Sequence, residues 1–151
     1  MSQQIDDVDN DMDNHIKSTP AWQANDEILQ SVPGVGDVTS RTIAALLPEL
    51  GTLNRKQIAS LAGLAPFNDD SGRSSGKRRI WGGRAPVRAV LYMAAVVACR
   101  RNPTIKKFYE RLISAGKAPK LALVGCMRKL LTMLNAMLRD RAKWNPSLGP
   151  A

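Results

Sequence analysis

Apolar side chains recur at spacings of three and four along most of this 151-residue chain. The strict alternation that a half-buried strand requires is nearly absent, so the pattern predicts a mainly α-helical domain. In residues 1–19 a thin stripe of Ile5, Val8, Met12 and Ile16 crosses an otherwise acidic segment, either the end of a longer helix or a frayed tail, and Thr19-Pro20 breaks it. A short helix follows over Asp26 to Gln30. After Pro33-Gly34-Val35-Gly36, Asp37 is expected to cap a second helix reaching about Leu47. Asn54 or Thr52 can cap a third helix through Ile58 and Leu61, closed by Gly63. From Val87 to Arg101 the chain is almost wholly apolar, the mark of a buried central helix. Asn102-Pro103 ends that helix and starts the next, whose apolar positions Ile105, Phe108, Tyr109, Leu112 and Ile113 oppose Lys106, Lys107 and Arg111. A last helix runs from about Lys120 to Lys143 on a stripe of Leu123, Met127, Leu130, Leu134 and Met137 or Leu138, and Trp144-Asn145-Pro146 terminates it.

Two segments depart from helical periodicity. Helix, Gly-hydrophobic-Gly, helix is the pattern of a helix-hairpin-helix, in which Gly34 and Gly36 let a turn bring backbone N–H groups toward a phosphate. The same glycines also suit an ordinary tight turn with close packing. Residues 65–85 hold glycines, serines and Pro66 without sustained periodicity, which reads as a long loop or a twisted hairpin. The expected architecture is therefore a compact helical domain with a helix-hairpin-helix-like N-terminal part and a Gly/Ser/Arg-rich loop before the central helix. Its boundaries fall at 1–21 for an acidic tail or coiled-coil remnant, 22–145 for the domain and 146–151 for a tail.

Charge sharpens this picture. The net charge of +9 divides unevenly: residues 1–50 hold two bases against nine acids, a net of −7, and residues 51–151 hold 20 bases against four acids, a net of +16. Such a basic majority points to a nucleic-acid surface. Cys99 and Cys126 lie in apolar helical patterns and read as free buried thiols of a reducing cytosol, and His15 is the only histidine, so no Cys/His zinc site can be assembled. The N-terminus has no signal-peptide character, and the longest apolar run, Ala89 to Cys99, is too short to span a bilayer. These features predict a soluble cytoplasmic protein with no membrane partner. No Walker lysine motif, dinucleotide fingerprint or metal-ligand constellation appears.

The candidate chemistry sits in the loop. Arg73, Lys77, Arg78, Arg79, Arg84 and Arg88 crowd around Ser71-Gly72. A serine that attacks DNA must reach a phosphorus atom in line with the leaving oxygen, and cations must neutralise charge growing on the phosphate. Arginine suits that role because its planar fork grips two phosphate oxygens. Ser71 is the candidate nucleophile, with Ser74 and Ser75 equally eligible on composition. Asp-Ser-Gly is also common turn chemistry, and the cations alone would make a loop that binds nucleic acid without reacting. Trp22, Trp81 and Trp144 could stack on bases, but at element edges they read better as packing anchors.

The blocks Ser-Val-Pro-Gly-Val-Gly (31–36), Leu-Pro-Glu-Leu-Gly (47–51), Leu-Ala-Gly-Leu-Ala-Pro (61–66), Asp-Ser-Gly (70–72), Gly-Gly-Arg-x-x-Val-Arg (82–88), Leu-Tyr-Met-Ala-Ala (91–95) and Arg-Lys-Leu-Leu (128–131) occur in that order. Together they resemble the C-terminal domain of the DEDD-type insertion-sequence transposases, whose members use a structured bridge RNA to pair donor and target DNA. The likeness covers roughly residues 22–145. It implies DNA transposition through a phosphoserine link formed by Ser71, with Arg88 first among the phosphate contacts. It also implies partners: DNA, a structured guide RNA, and a homo-oligomeric assembly that includes a magnesium-binding, RuvC-like carboxylate domain. No residue of this sequence matches those carboxylates, so no metal or other cofactor is expected in this chain. The resemblance then implies a split or truncated transposase, completed in trans by a RuvC-like domain or an intact transposase. The rival expectation is a remnant that binds DNA or RNA without catalysis, or that interferes with an intact transposase.

Overall fold

A computed structural model describes residues 20–64 and 84–146. These residues form helices α1 (Pro20–Gln30), α2 (Asp37–Leu46), α3 (Arg55–Leu61), α4 (Ala85–Arg101), α5 (Pro103–Ser114) and α6 (Pro119–Asp140), with no strand among them. Helix α6 is the central strut: it packs against α4, α5, α3 and α1, while α4 also packs against α2 and α5. One apolar core results, built on fully buried Leu29, Ile43, Leu47, Ile58, Leu91, Ile105, Leu130, Leu131 and Leu134. Each such side chain contributes on the order of 2 kcal/mol by leaving water.

The turn chemistry is largely as the sequence predicts. Asn54 closes a capping box with Gln57, each side chain accepting from the other's backbone N–H. Asn102, wholly buried, accepts from the N–H groups of Thr104 and Ile105 at the start of α5, and its Nδ2 donates to the Pro33 carbonyl. One amide thus caps a helix and ties it to the α1–α2 turn. Arg141 ends α6 in the left-handed conformation, φ 56°.

Three local expectations change. Helix α1 begins at Pro20, because a proline read as a break serves equally as a first helical residue. Gly36, not Asp37, is the N-cap of α2; Asp37 is already in the first turn, where its charge favours the helix dipole. Helix α4 is central but not buried all round: Val87, Leu91, Ala94, Ala95 and Ala98 enter the core, while Met93 is 66% exposed and Tyr92 and Val97 also face outward. The acidic segment 1–19 and residues 147–151 lie outside the described residues.

Trp144 is half-buried against the core and its backbone N–H donates to the Ser31 hydroxyl, so it is a packing anchor; Trp22 is half-buried, while Trp81 lies outside the described residues. The Cys99 and Cys126 sulfurs lie 3.9 Å apart across α4 and α6 as free thiols. Helix α6 is long and apolar enough to cross a membrane by length and composition, yet half of that stretch is buried inside the protein. Its apolarity is explained by its place in the core.

Candidate nucleic-acid interface

The stretch 65–83, with Ser71, Ser74, Ser75, Arg73, Lys77, Arg78 and Arg79, lies outside the described residues. Its stem is described. Leu64, buried, is its last residue on one side, and the Leu64 carbonyl accepts from Arg128 Nε of α6 at 2.9 Å. On the other side the Arg84 N–H donates to the Leu61 carbonyl at 3.0 Å, so the two ends are held together. Gly63 makes the closing turn of α3 in the left-handed region, φ 74°.

Arg84, which the sequence groups with the phosphate contacts, is engaged elsewhere. Its two terminal nitrogens meet the two Glu49 oxygens at 2.7 and 2.8 Å, and one of them also donates to the Leu46 carbonyl. The hydrogen bonds from Arg84 hold the Glu49 carboxyl down to about 2 and raise the guanidinium's own pKa. A fork satisfied on both tines by protein has little left for a phosphate, so Arg84 is a stem residue. Arg88, one turn further along α4, is half-buried, and no described carboxylate pairs with it.

The two glycines of the Gly-Val-Gly turn also part company. Gly34 (φ 109°) lies against α4, where a Cβ would come within 2.8 Å of the Ala98 Cβ. It is required for packing. Gly36 has open space around its Cα and caps α2 without a side-chain bond, so this end of α2 is accessible.

A second cationic surface lies on α5 and α6. Phe108 carries two cations near its ring: Lys129 Nζ at 5.0 Å and Arg111 Cζ at 5.2 Å from the centroid. The ring, Lys107, Arg111 and Lys129 line a recess of about 360 Å³ between Pro103 and Pro146. Burial lowers the Lys129 pKa, and the like charges of Arg111 and Arg55 lower it further. Lys129 also borders a neighbouring recess lined by Arg55, Thr132 and the Arg139–Asp140 ion pair. Among the described residues no carboxylate forms an ion pair with Arg55, Lys107, Arg111 or Lys129.

Most of the sequence blocks find a use in this arrangement. Glu49 of Leu-Pro-Glu-Leu-Gly pairs with Arg84 of Gly-Gly-Arg-x-x-Val-Arg, and Leu61 and Leu64 of Leu-Ala-Gly-Leu-Ala-Pro make the stem bonds. Arg-Lys-Leu-Leu supplies the Leu64 clamp, the pocket lysine and two core leucines in succession. The sequence offered Lys107 and Arg111 as a helix face, but Lys129 and Arg128 sit within an apolar helix and carried no separate signal. Among the described residues no three His, Cys, Asp or Glu side chains stand together as a metal site. The donor set for a divalent ion is therefore not found among them.

Comparison with known proteins gives the arrangement its context. A family model described as Transposase IS116/IS110/IS902 family matches residues 26–110. The pilin gene-inverting protein of Moraxella bovis is 36% identical over 132 residues, covering 83% of this chain and 40% of that protein. The insertion element IS900 uncharacterized 42 kDa protein of Mycobacterium paratuberculosis is 36% identical over 125 residues, covering 80% of this chain and 31% of that protein. The insertion element IS116 uncharacterized 44.8 kDa protein of Streptomyces clavuligerus is 32% identical over 139 residues, covering 91% and 35% respectively. The chain thus spans 31–40% of the length of these relatives.

Proposed function

This chain belongs to the IS116/IS110/IS902 transposase family, and we propose that it acts in DNA transposition or inversion as a DNA-binding domain that presents a serine nucleophile. The observation that carries the reading is the stem: residues far apart in sequence, Glu49, Leu61, Arg84 and Arg128, join to hold both ends of the segment rich in serine and arginine. A protein invests such fixation in a segment whose position matters. In the proposed step the Ser71 hydroxyl oxygen bonds to a DNA phosphorus. The bond from phosphorus to the leaving deoxyribose oxygen breaks, and the serine proton ends on that leaving oxygen, directly or through water. Arg88 and the cations of 73–79 would bind the non-bridging oxygens.

The remaining parts of the reaction belong to the complete system: a carboxylate domain with its magnesium, a structured guide RNA and further copies of the protein in the cytoplasm. The test is a covalent adduct. The chain would be mixed with a separately supplied RuvC-like domain, guide RNA and nicked target DNA, and a denaturant-resistant protein–DNA species sought. Ser71→Ala should abolish the adduct, while Ser74→Ala and Ser75→Ala should keep it. An adduct that survives Ser71→Ala overturns the nucleophile assignment. DNA binding without any adduct leaves the non-catalytic reading in its place.

A further inference from the structure

Two groups of cations on the described surface differ in their partners. Arg84, Arg139 and Lys143 each meet a carboxylate, of Glu49, Asp140 and Glu27. Lys107, Arg111, Lys129 and Arg55 do not, although they come from three helices that fold brings together. Like charges gathered without a counter-ion repel; the Lys129 pKa is lowered first by burial and then by the charges of Arg111 and Arg55. An arriving anion removes the repulsion and gains the attraction of several charges at once.

The shape of the recess narrows the ligand. Its volume, about 360 Å³, lies within the roughly 300–1,000 Å³ usual for small-ligand sites. Its walls are not all charge: Phe108, Pro103 and Pro146 supply apolar surface beside Lys107, Arg111 and Lys129. The backbone of an intact duplex would satisfy the cations and leave this apolar wall wet, because its bases are stacked inside. A nucleotide in a single strand offers both parts, phosphate for the cations and sugar or base for the ring and prolines.

We infer that the α5–α6 recess is a single-stranded DNA subsite, seating one nucleotide with its phosphate on Lys129, Arg111 and Lys107 and its apolar part on Phe108. The inference rests on the DNA-recombination reading, which requires strands to be opened, and it adds a contact separate from the Ser71 segment. Arg55 extends the same positive surface past Lys129, so the strand continues toward α3.

The test is fluorescence anisotropy of the full chain with a labelled 15-nucleotide oligo(dT), the corresponding oligo(U) and a 15-base-pair DNA duplex. Lys129→Gln with Arg111→Gln should weaken oligo(dT) binding at least tenfold and duplex binding less than threefold. The slope of log affinity against log salt for oligo(dT) should become shallower by about 0.7, the contribution of the one phosphate seated in the recess. The exposed Lys107→Gln, which leaves packing untouched, should alone give a smaller loss of the same selectivity. Equal losses on duplex and single strand, or no loss, would overturn the subsite. Tighter binding of oligo(U) than oligo(dT), lost in the double variant, would overturn its assignment to DNA. If wild-type duplex binding and the Ser71 adduct persist while the oligo(dT) effect is absent, the subsite fails and the function stands.

Discussion

Two basic regions of this protein look alike in composition and differ in what their charges do. At the stem, the Arg84 guanidinium is matched on both sides by Glu49 and reinforced by a backbone carbonyl. On the α5–α6 face, Lys107, Arg111 and Lys129 gather around Phe108 without an ion pair to any described carboxylate. An arginine in a paired fork is architecture. Cations held together without partners form a surface prepared for something outside the protein. The difference cannot be read from the number of basic residues, only from where the acids are.

The comparison is broken most directly at the architecture side. Buried Asn135 accepts from the Gly51 N–H at 2.7 Å and donates to the Leu53 carbonyl, fixing to α6 the segment that carries Glu49. Asn135→Leu strands both backbone groups and should cost about 2–5 kcal/mol, read as a fall in the urea midpoint with unchanged slope. A loss under 1 kcal/mol would mean that the stem side is not held this way.

Glu49→Gln gives a smaller and pH-dependent effect. The folded carboxyl titrates near 2, below its ordinary 4.5, so the unfolded chain binds more protons between those values. The pairing therefore stabilises fully above about pH 4.5 and is lost as pH falls toward 2. Thermal melts across that window should show wild type losing more stability on acidification than Glu49→Gln, with the two converging at the acid end. Parallel curves would remove the pairing from the stem.

The smallest effect is expected at the face. Lys129→Gln removes an unpaired charge and should leave stability within about 0.5 kcal/mol of wild type, while single-strand binding falls. A large loss of stability there would make Lys129 a structural residue and erase the contrast.

Much of the frame was legible from residues alone. Asn54 and Asn102 announced their helices because capping is local chemistry, and the apolar stripe of α6 announced the core. Local signals with two meanings misled. Pro20 served as a helix start, and Gly36 displaced Asp37 as cap because the chain enters α2 in an extended conformation. The exposure of Tyr92 and Met93 could not be read from α4, since an apolar sequence does not say which of its sides neighbours cover. The role of Arg84 depends on Glu49, 35 residues away, and the recess at Phe108 depends on how α5 and α6 dock. Helix propensities carry no information about either.

The two cysteines have a practical corollary. Burial pushes the Cys126 thiol up to about 12, and the Cys99 thiol is raised as well. At neutral pH Cys126 is almost wholly in the thiol form, so it reacts slowly with alkylating reagents. A Ser71→Cys chain would therefore carry a third sulfur whose reaction can be told apart from that of Cys126. For a spin label, fluorophore or thiol-tethered oligonucleotide at that position, Cys99, half-buried, is the native cysteine to replace first.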